Sequence, residues 1–204
     1  MTLQDLERLA GEPQDALADL SDNLVFGDGP EDAKLMIVGE APGEDEDLSG
    51  RPFVGRAGQL LDRILESVDL DRGEIYVTNL VKRRPPGNRN PTQMEIDASS
   101  GILVEQVRLI QPRIIATLGN VPTRWFLNVD EGITRLHGTW HDWNGIRLMP
   151  LYHPAYLLRN PSRERGKPKW QMWEAMKDLA ATLATLPDVT GPVAIDTSRQ
   201  EGLF

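Results

Sequence analysis

A strand-length apolar run, Ala33-Lys34-Leu35-Met36-Ile37-Val38, passes directly into the loop Gly39-Glu40-Ala41-Pro42-Gly43. No other feature restricts the fold of this chain as strongly. After the loop, Gln59-Leu60-Leu61-Asp62-Arg63-Ile64-Leu65 carries apolar residues at helical spacing. A Gly/Pro-rich loop therefore lies between the carboxyl end of a strand and the start of a helix, where open α/β sheets hold their ligand crevice. Four acids, Glu44 to Asp47, argue against a phosphate-only cradle because they would repel the phosphate. Taken alone, these residues fit an acidic surface connection about equally well.

The rest of the chain repeats the alternation. Strand candidates are Glu74–Val81, Arg113–Gly119 and Ile146–Tyr152, with weaker β-like pieces around Leu136–Trp140. Helices are expected over 3–10 and 14–21, from Pro91-Thr92 to Pro112, from Asn120 or Pro122 through Leu127, and from about Pro168 to Leu186. This order predicts a three-layer α/β/α fold around a four-stranded, mostly parallel sheet. Parallel strands put the ends at Gly39-Glu40, Asn79 and His153 on one edge, and each end releases a polar loop. That convergence favours a pocket over three unrelated connections.

At 204 residues the chain suits one domain over 1–186, followed by a tail over 187–204. The N-terminus lacks a basic segment leading into an apolar one, and no apolar stretch is long enough for a bilayer, so a cytoplasmic monomer is expected. Cysteine is absent, which excludes disulfides, thiolate catalysis and cysteine-ligated metal. His137, His141 and His153 are too scattered to suggest a histidine metal site. The net charge of −9 disfavours a protein that coats nucleic acid, but local distribution matters more. Lys82, Arg83, Arg84 and Arg89 share one loop without an acid, and Arg159, Arg163, Arg165, Lys167 and Lys169 follow the His153 segment with only Glu164 among them.

Three stretches, Gly39–Glu46 with Gly50–Leu61, Thr78-Asn79 with Arg84–Arg89, and Tyr152–Pro161, together resemble the uracil-DNA glycosylase superfamily, closest to its family 4. The resemblance implies removal of uracil from DNA to leave an abasic site, with the nucleotide swung out of the stack. It implies that Phe53 stacks on the base and that the Asn79 amide reads its edge. His153 would donate to O2, where negative charge grows as the glycosidic bond breaks. The backbone at Glu40, Ala41 and Pro42 would line the pocket, and Glu46 would sit near C5 and exclude a thymine methyl. Better-known relatives carry a water-orienting aspartate where this chain has Ala41, and family 4 lacks it too; Glu40, with help from Asn79, is the candidate here. Phosphate contacts fall to Lys82, Arg84, Arg89 and Arg159. Leu157 or Leu158, with Arg159, would fill the gap left by the flipped base, although core packing suits these leucines equally well.

The resemblance also implies a four-iron cluster on four cysteines, at places that fall near Glu12, Asp15, Arg83 and Ser99; no ligand remains. Arg83 is expected to pair with Glu12 or Asp15 and tie the same segments together. His137 and His141 read as packed or surface histidines, and the five tryptophans as packing residues. The segment from Pro187 reads as a flexible linker. Its end, Gln200-Glu201-Gly202-Leu203-Phe204, resembles the peptide by which repair proteins dock on a sliding clamp, anchored by Gln200, Leu203 and Phe204. Two other readings stay open: a non-catalytic uracil- or DNA-binding protein of the same fold, and a glycosylase for another deaminated base.

Overall fold

β1 (Leu35–Gly39) is buried along its whole length, because strands flank both its edges and helices cover both its faces. Residues buried on both sides read as a continuous apolar run rather than an alternating one. The computed structural model describes residues 1–186 and 194–196. β1 pairs in parallel with β2 (Ile75–Asn79) and β3 (Ile114–Leu118), and β3 pairs in parallel with β5 (Ile146–Leu151). β4 (His141–Trp143) is antiparallel to β5, so the sheet has five strands in the order β2-β1-β3-β5-β4. The expected four strands are all present. The fifth escaped the sequence pattern because it is only three residues long. Of the stretch Leu136–Trp140, read as β-like, Leu136 instead closes a short helix, Ile133–Leu136, and the strand begins just beyond it at His141.

Side-chain parity divides the core. Met36, Val38, Tyr76 and Ile115 face α4 (Gln93–Ile110) and α5 (Asn120–Leu127) through Leu103, Val107, Trp125 and Phe126. Leu35, Ile37, Val77 and Ile114 face α3 (Arg56–Glu66) and the long helix Pro168–Thr185 through Leu61, Leu65, Met176 and Leu179. Trp173 of that helix is a correction to the packing assignment. It is 39% exposed, with the Lys177 ammonium over its ring. The outer edge of β2 is covered, since Asp28 and Val77 exchange backbone hydrogen bonds. A covered edge offers no template for a foreign strand.

The N-terminal arm is held by Arg83. Its guanidinium donates to the carbonyl oxygens of Gly11, Asp22, Ala10 and Ser21 and is 8% exposed. The expected partners, Glu12 and Asp15, are exposed instead, and Glu12 pairs with Arg8. Carbonyls win because Ala10 and Gly11 end the helix Leu3–Gly11, where carbonyls lack intrahelical partners and carry partial negative charge. The segments are tied as expected, but by main-chain oxygens. A guanidinium committed to carbonyl oxygens and a buried serine hydroxyl without a hydrogen-bond partner, Ser99 Oγ, stand where the resemblance implies thiolates, so the residues present do not fit an iron–sulfur cluster. Arg83→Met is expected to lower unfolding stability by about 3 kcal/mol. A denaturant melt measures this, and an unchanged midpoint would mean the clamp is idle.

Residues Pro187–Val193 and Thr197–Phe204 lie outside the described residues, and with them Gln200, Leu203 and Phe204. Within the tail, Ile195 packs on the core beside α4 and α5, and Asn144 and Asp196 exchange two hydrogen bonds. Among the described residues no helix is long and apolar enough to cross a membrane.

Candidate active site

The parallel strands release four loops on one sheet edge. The sequence motifs marked three of them; the fourth follows β3, at Gly119-Asn120-Val121. All four line one cleft of about 590 Å³, which also receives Glu40, Phe53, Asn79 and His153. The volume lies within the range of pockets that hold a ligand of small-molecule size. Asn120, Val121, Ile133 and Tyr156 also line it and were missed in the sequence reading. Gly119 closing a parallel strand was the available signal for the first two.

Two glycines make the cleft possible. Gly39 is paired in register with Asn79. A Cβ on Gly39 would lie 2.3 Å from Asn79 Oδ1 and 2.6 Å from the Phe53 ring. A Cβ on Gly58 would lie 1.7 Å from the Phe53 carbonyl oxygen. Phe53 itself has φ +57°, a left-handed conformation rare for a bulky residue. Such strain persists only where the surroundings over-determine it. Here Glu46 supplies the constraint: Oε1 accepts from the Val54 and Gly55 amides at 2.9 and 2.8 Å, and Oε2 accepts from the Gly43 amide at 3.1 Å. Glu46 lines the cleft, and its carboxylate oxygens are held by the loop backbone. Gly39→Ala is expected to fold normally while displacing Phe53 and Asn79, with a loss of about 10²-fold in the rate of any reaction the cleft carries out. A thermal melt alongside the rate measurement separates the two effects.

His153 sits before the helix Pro154–Arg159, and its Nδ1 accepts from the Ala155 amide at 3.1 Å. That bond leaves the proton on Nε2. Burial, aided by the positive charge of Arg159, pushes the His153 pKa down to about 4. The imidazole at neutral pH is therefore a neutral donor. Its ring lies 6.0 Å from that of Phe53, centroid to centroid. Burial also pushes the Glu40 carboxyl above its ordinary value, which makes it a better proton acceptor. Ala41 and Pro42 line the wall beside it.

The expected phosphate contacts need correction. Lys82 is buried, 3% exposed, with its amine turned inward to Thr78, Asn79 and Gln106. Leu157 is fully buried in the core because it is on the inner face of its helix, whereas Leu158 is half-buried. Arg84 bonds Asn88 and faces Glu44 and Asp47, so it joins the two loops instead of standing free. Arg89 lines the cleft with a bidentate grip on Glu95, whose pKa that grip lowers to about 2. Arg159 lines the cleft and is exposed. His141 bonds Thr139 at the surface, and half-buried His137 stacks on Tyr152.

The profile of the uracil DNA glycosylase superfamily matches residues 26–179. A type-4 uracil-DNA glycosylase of Thermotoga maritima is 44% identical over 144 residues, 70% of this chain and 75% of that protein. The type-4 enzyme of Saccharolobus solfataricus is 45% identical over 148 residues, covering 68% of each chain. A type-5 uracil-DNA glycosylase of Pyrobaculum aerophilum is 33% identical over 152 residues, 66% of this chain and 67% of its own length.

Proposed function

The chain belongs to the uracil-DNA glycosylase superfamily, and from that premise we propose how this uracil-DNA glycosylase, a hydrolase of DNA repair, works at its cleft. A uracil nucleotide leaves the DNA stack and enters the cleft, where Phe53 and His153 meet it from different sides. Phe53 lies against the base face, and the Asn79 amide pairs with O4 and N3–H, which separates uracil from cytosine. The N1–C1′ bond breaks, and its electron pair departs with the base. His153 Nε2–H donates to O2 as the negative charge grows there. Water adds to C1′ and gives its proton to the Glu40 carboxylate, while the freed base takes up a proton at N1. The products are uracil and an abasic site.

One observation carries this reading: Glu40, Phe53, Asn79 and His153, drawn from three separate strand ends, line the same cleft. Arg159, with the exposed Arg163, Arg165 and Lys167 that follow it, offers the path for DNA phosphates, and Leu158 is placed to fill the vacated stack. No step passes through iron. A cytoplasmic monomer and a clamp-docking role for Gln200, Leu203 and Phe204 complete the proposal.

The test is alkali cleavage of a labelled oligonucleotide carrying one uracil. Strand scission with wild type, and its loss with Glu40→Ala, is the expected result. Intact strands with wild-type protein would favour a binding protein without catalysis.

A further inference from the structure

Lys82 is the buried ionisable group that the scheme above leaves without a task. Its Nζ donates to Asn79 O at 2.6 Å, Gln106 Oε1 at 2.6 Å and Thr78 Oγ1 at 2.7 Å. The partners are themselves fixed. Thr78 donates to the Phe26 carbonyl at 2.7 Å, and Gln106 Nε2 donates to the same carbonyl and to Tyr76 Oη at 3.0 Å. Thr78, Gln106 and Tyr76 are all buried. Three oxygens with their lone pairs toward one nitrogen match the three hydrogens of an ammonium. A neutral amine would turn its own lone pair against one of them. Burial pushes the Lys82 pKa well below the usual lysine range. Hydrogen bonds accepted from the charged form favour that form.

No carboxylate is among these hydrogen-bond partners. A buried cation without a counter-ion is costly, and an apolar side chain of similar volume often serves stability as well or better. Packing therefore gives no reason for a lysine at this place, whereas its position does. Lys82 grips the main-chain carbonyl of Asn79, the residue whose side chain lines the cleft. A charge in a water-poor interior acts strongly on charge that develops nearby.

We propose that Lys82 is a positioning residue of the excision reaction: its ammonium holds Asn79 from behind and sets a fixed positive charge beside the slot, favouring departure of uracil as an anion. The inference rests on the assignment of Asn79 as the reader of the base. Lys82 does not touch the substrate and acts through Asn79 and through the field at the slot.

The test compares single-turnover excision of uracil and of 5-fluorouracil from otherwise identical oligonucleotides. Fluorine makes the ring a better leaving anion, so it needs less help from the protein. Lys82→Met is expected to slow uracil excision about 30-fold and 5-fluorouracil excision only about fivefold, with little change in half-saturating DNA concentration. Lys82→Gln keeps a donor without the charge and should show the same bias toward 5-fluorouracil. Equal losses on both bases, or a Lys82→Gln rate on uracil equal to wild type, would overturn the role of the charge. Wild-type inactivity on both bases would instead defeat the glycosylase scheme itself. Should the variants fail to melt cooperatively, the nitrogen resonance of Lys82 in the wild-type protein at pH 7 decides: an ammonium supports the proposal and a neutral amine overturns it.

Discussion

Asn79→Leu is expected to lower kcat/KM for uracil excision by about 10⁴-fold, because a site built to hydrogen-bond a substrate is left with unpaired polar groups when one side is removed. Leucine keeps the branched heavy-atom skeleton of asparagine and leaves no void, so the loss reads recognition rather than collapse of the cleft. Asn79 is 2% exposed, and its main-chain bonds to the neighbouring strand do not depend on its side chain. The backbone of β2 should therefore persist, which a melt within a few degrees of wild type would confirm. A variant that excises uracil at the wild-type rate would remove Asn79 from the scheme, and with it the argument for Lys82.

His153→Ala is expected to lower kcat by about 10²- to 10³-fold with a small effect on KM, because the bond to O2 strengthens only as the base departs. The pH profile distinguishes the neutral donor from a protonated one. With its pKa pushed down to about 4, His153 is neutral on both sides of the ordinary histidine value near 6.5. Titration of His153 should therefore contribute no step at pH 6.5. On the acid side the rate should fall as Glu40 takes a proton above its ordinary value, and again as His153 does near 4. Protonated Nδ1 would also cease to accept from the Ala155 amide and would release the start of the last loop helix. A loss of rate centred at pH 6.5 that persists in the residual activity of Glu40→Gln would contradict this assignment.

The layer order and the reacting edge were legible because each strand end carries unusual loop chemistry next to an ordinary apolar run. Gly39, Asn79 and His153 announce themselves in this way. Lys82 did not. In sequence it opens a basic run with Arg83 and Arg84 and looks like a surface contact. In three dimensions the chain after β2 stays buried through Leu80 and Val81, and the amine meets oxygens contributed by Thr78 and by Gln106 from a distant helix. Arg83 was hidden for a related reason: its partners are main-chain carbonyls, which no side-chain pattern marks. The hold of Glu46 on the loop was hidden because the backbone amides of Val54 and Gly55 return to it only after the loop closes. Leu157 and Leu158 differ by one step on a helix, and only the packed core decides which faces inward.

The joint made by Arg83 has a consequence for where such an enzyme remains usable. A guanidinium gripping main-chain oxygens has no thiolate for hydrogen peroxide to attack and no metal for a chelator to strip. At this joint thiol oxidation cannot loosen the arm from the loop, because the chain contains no cysteine.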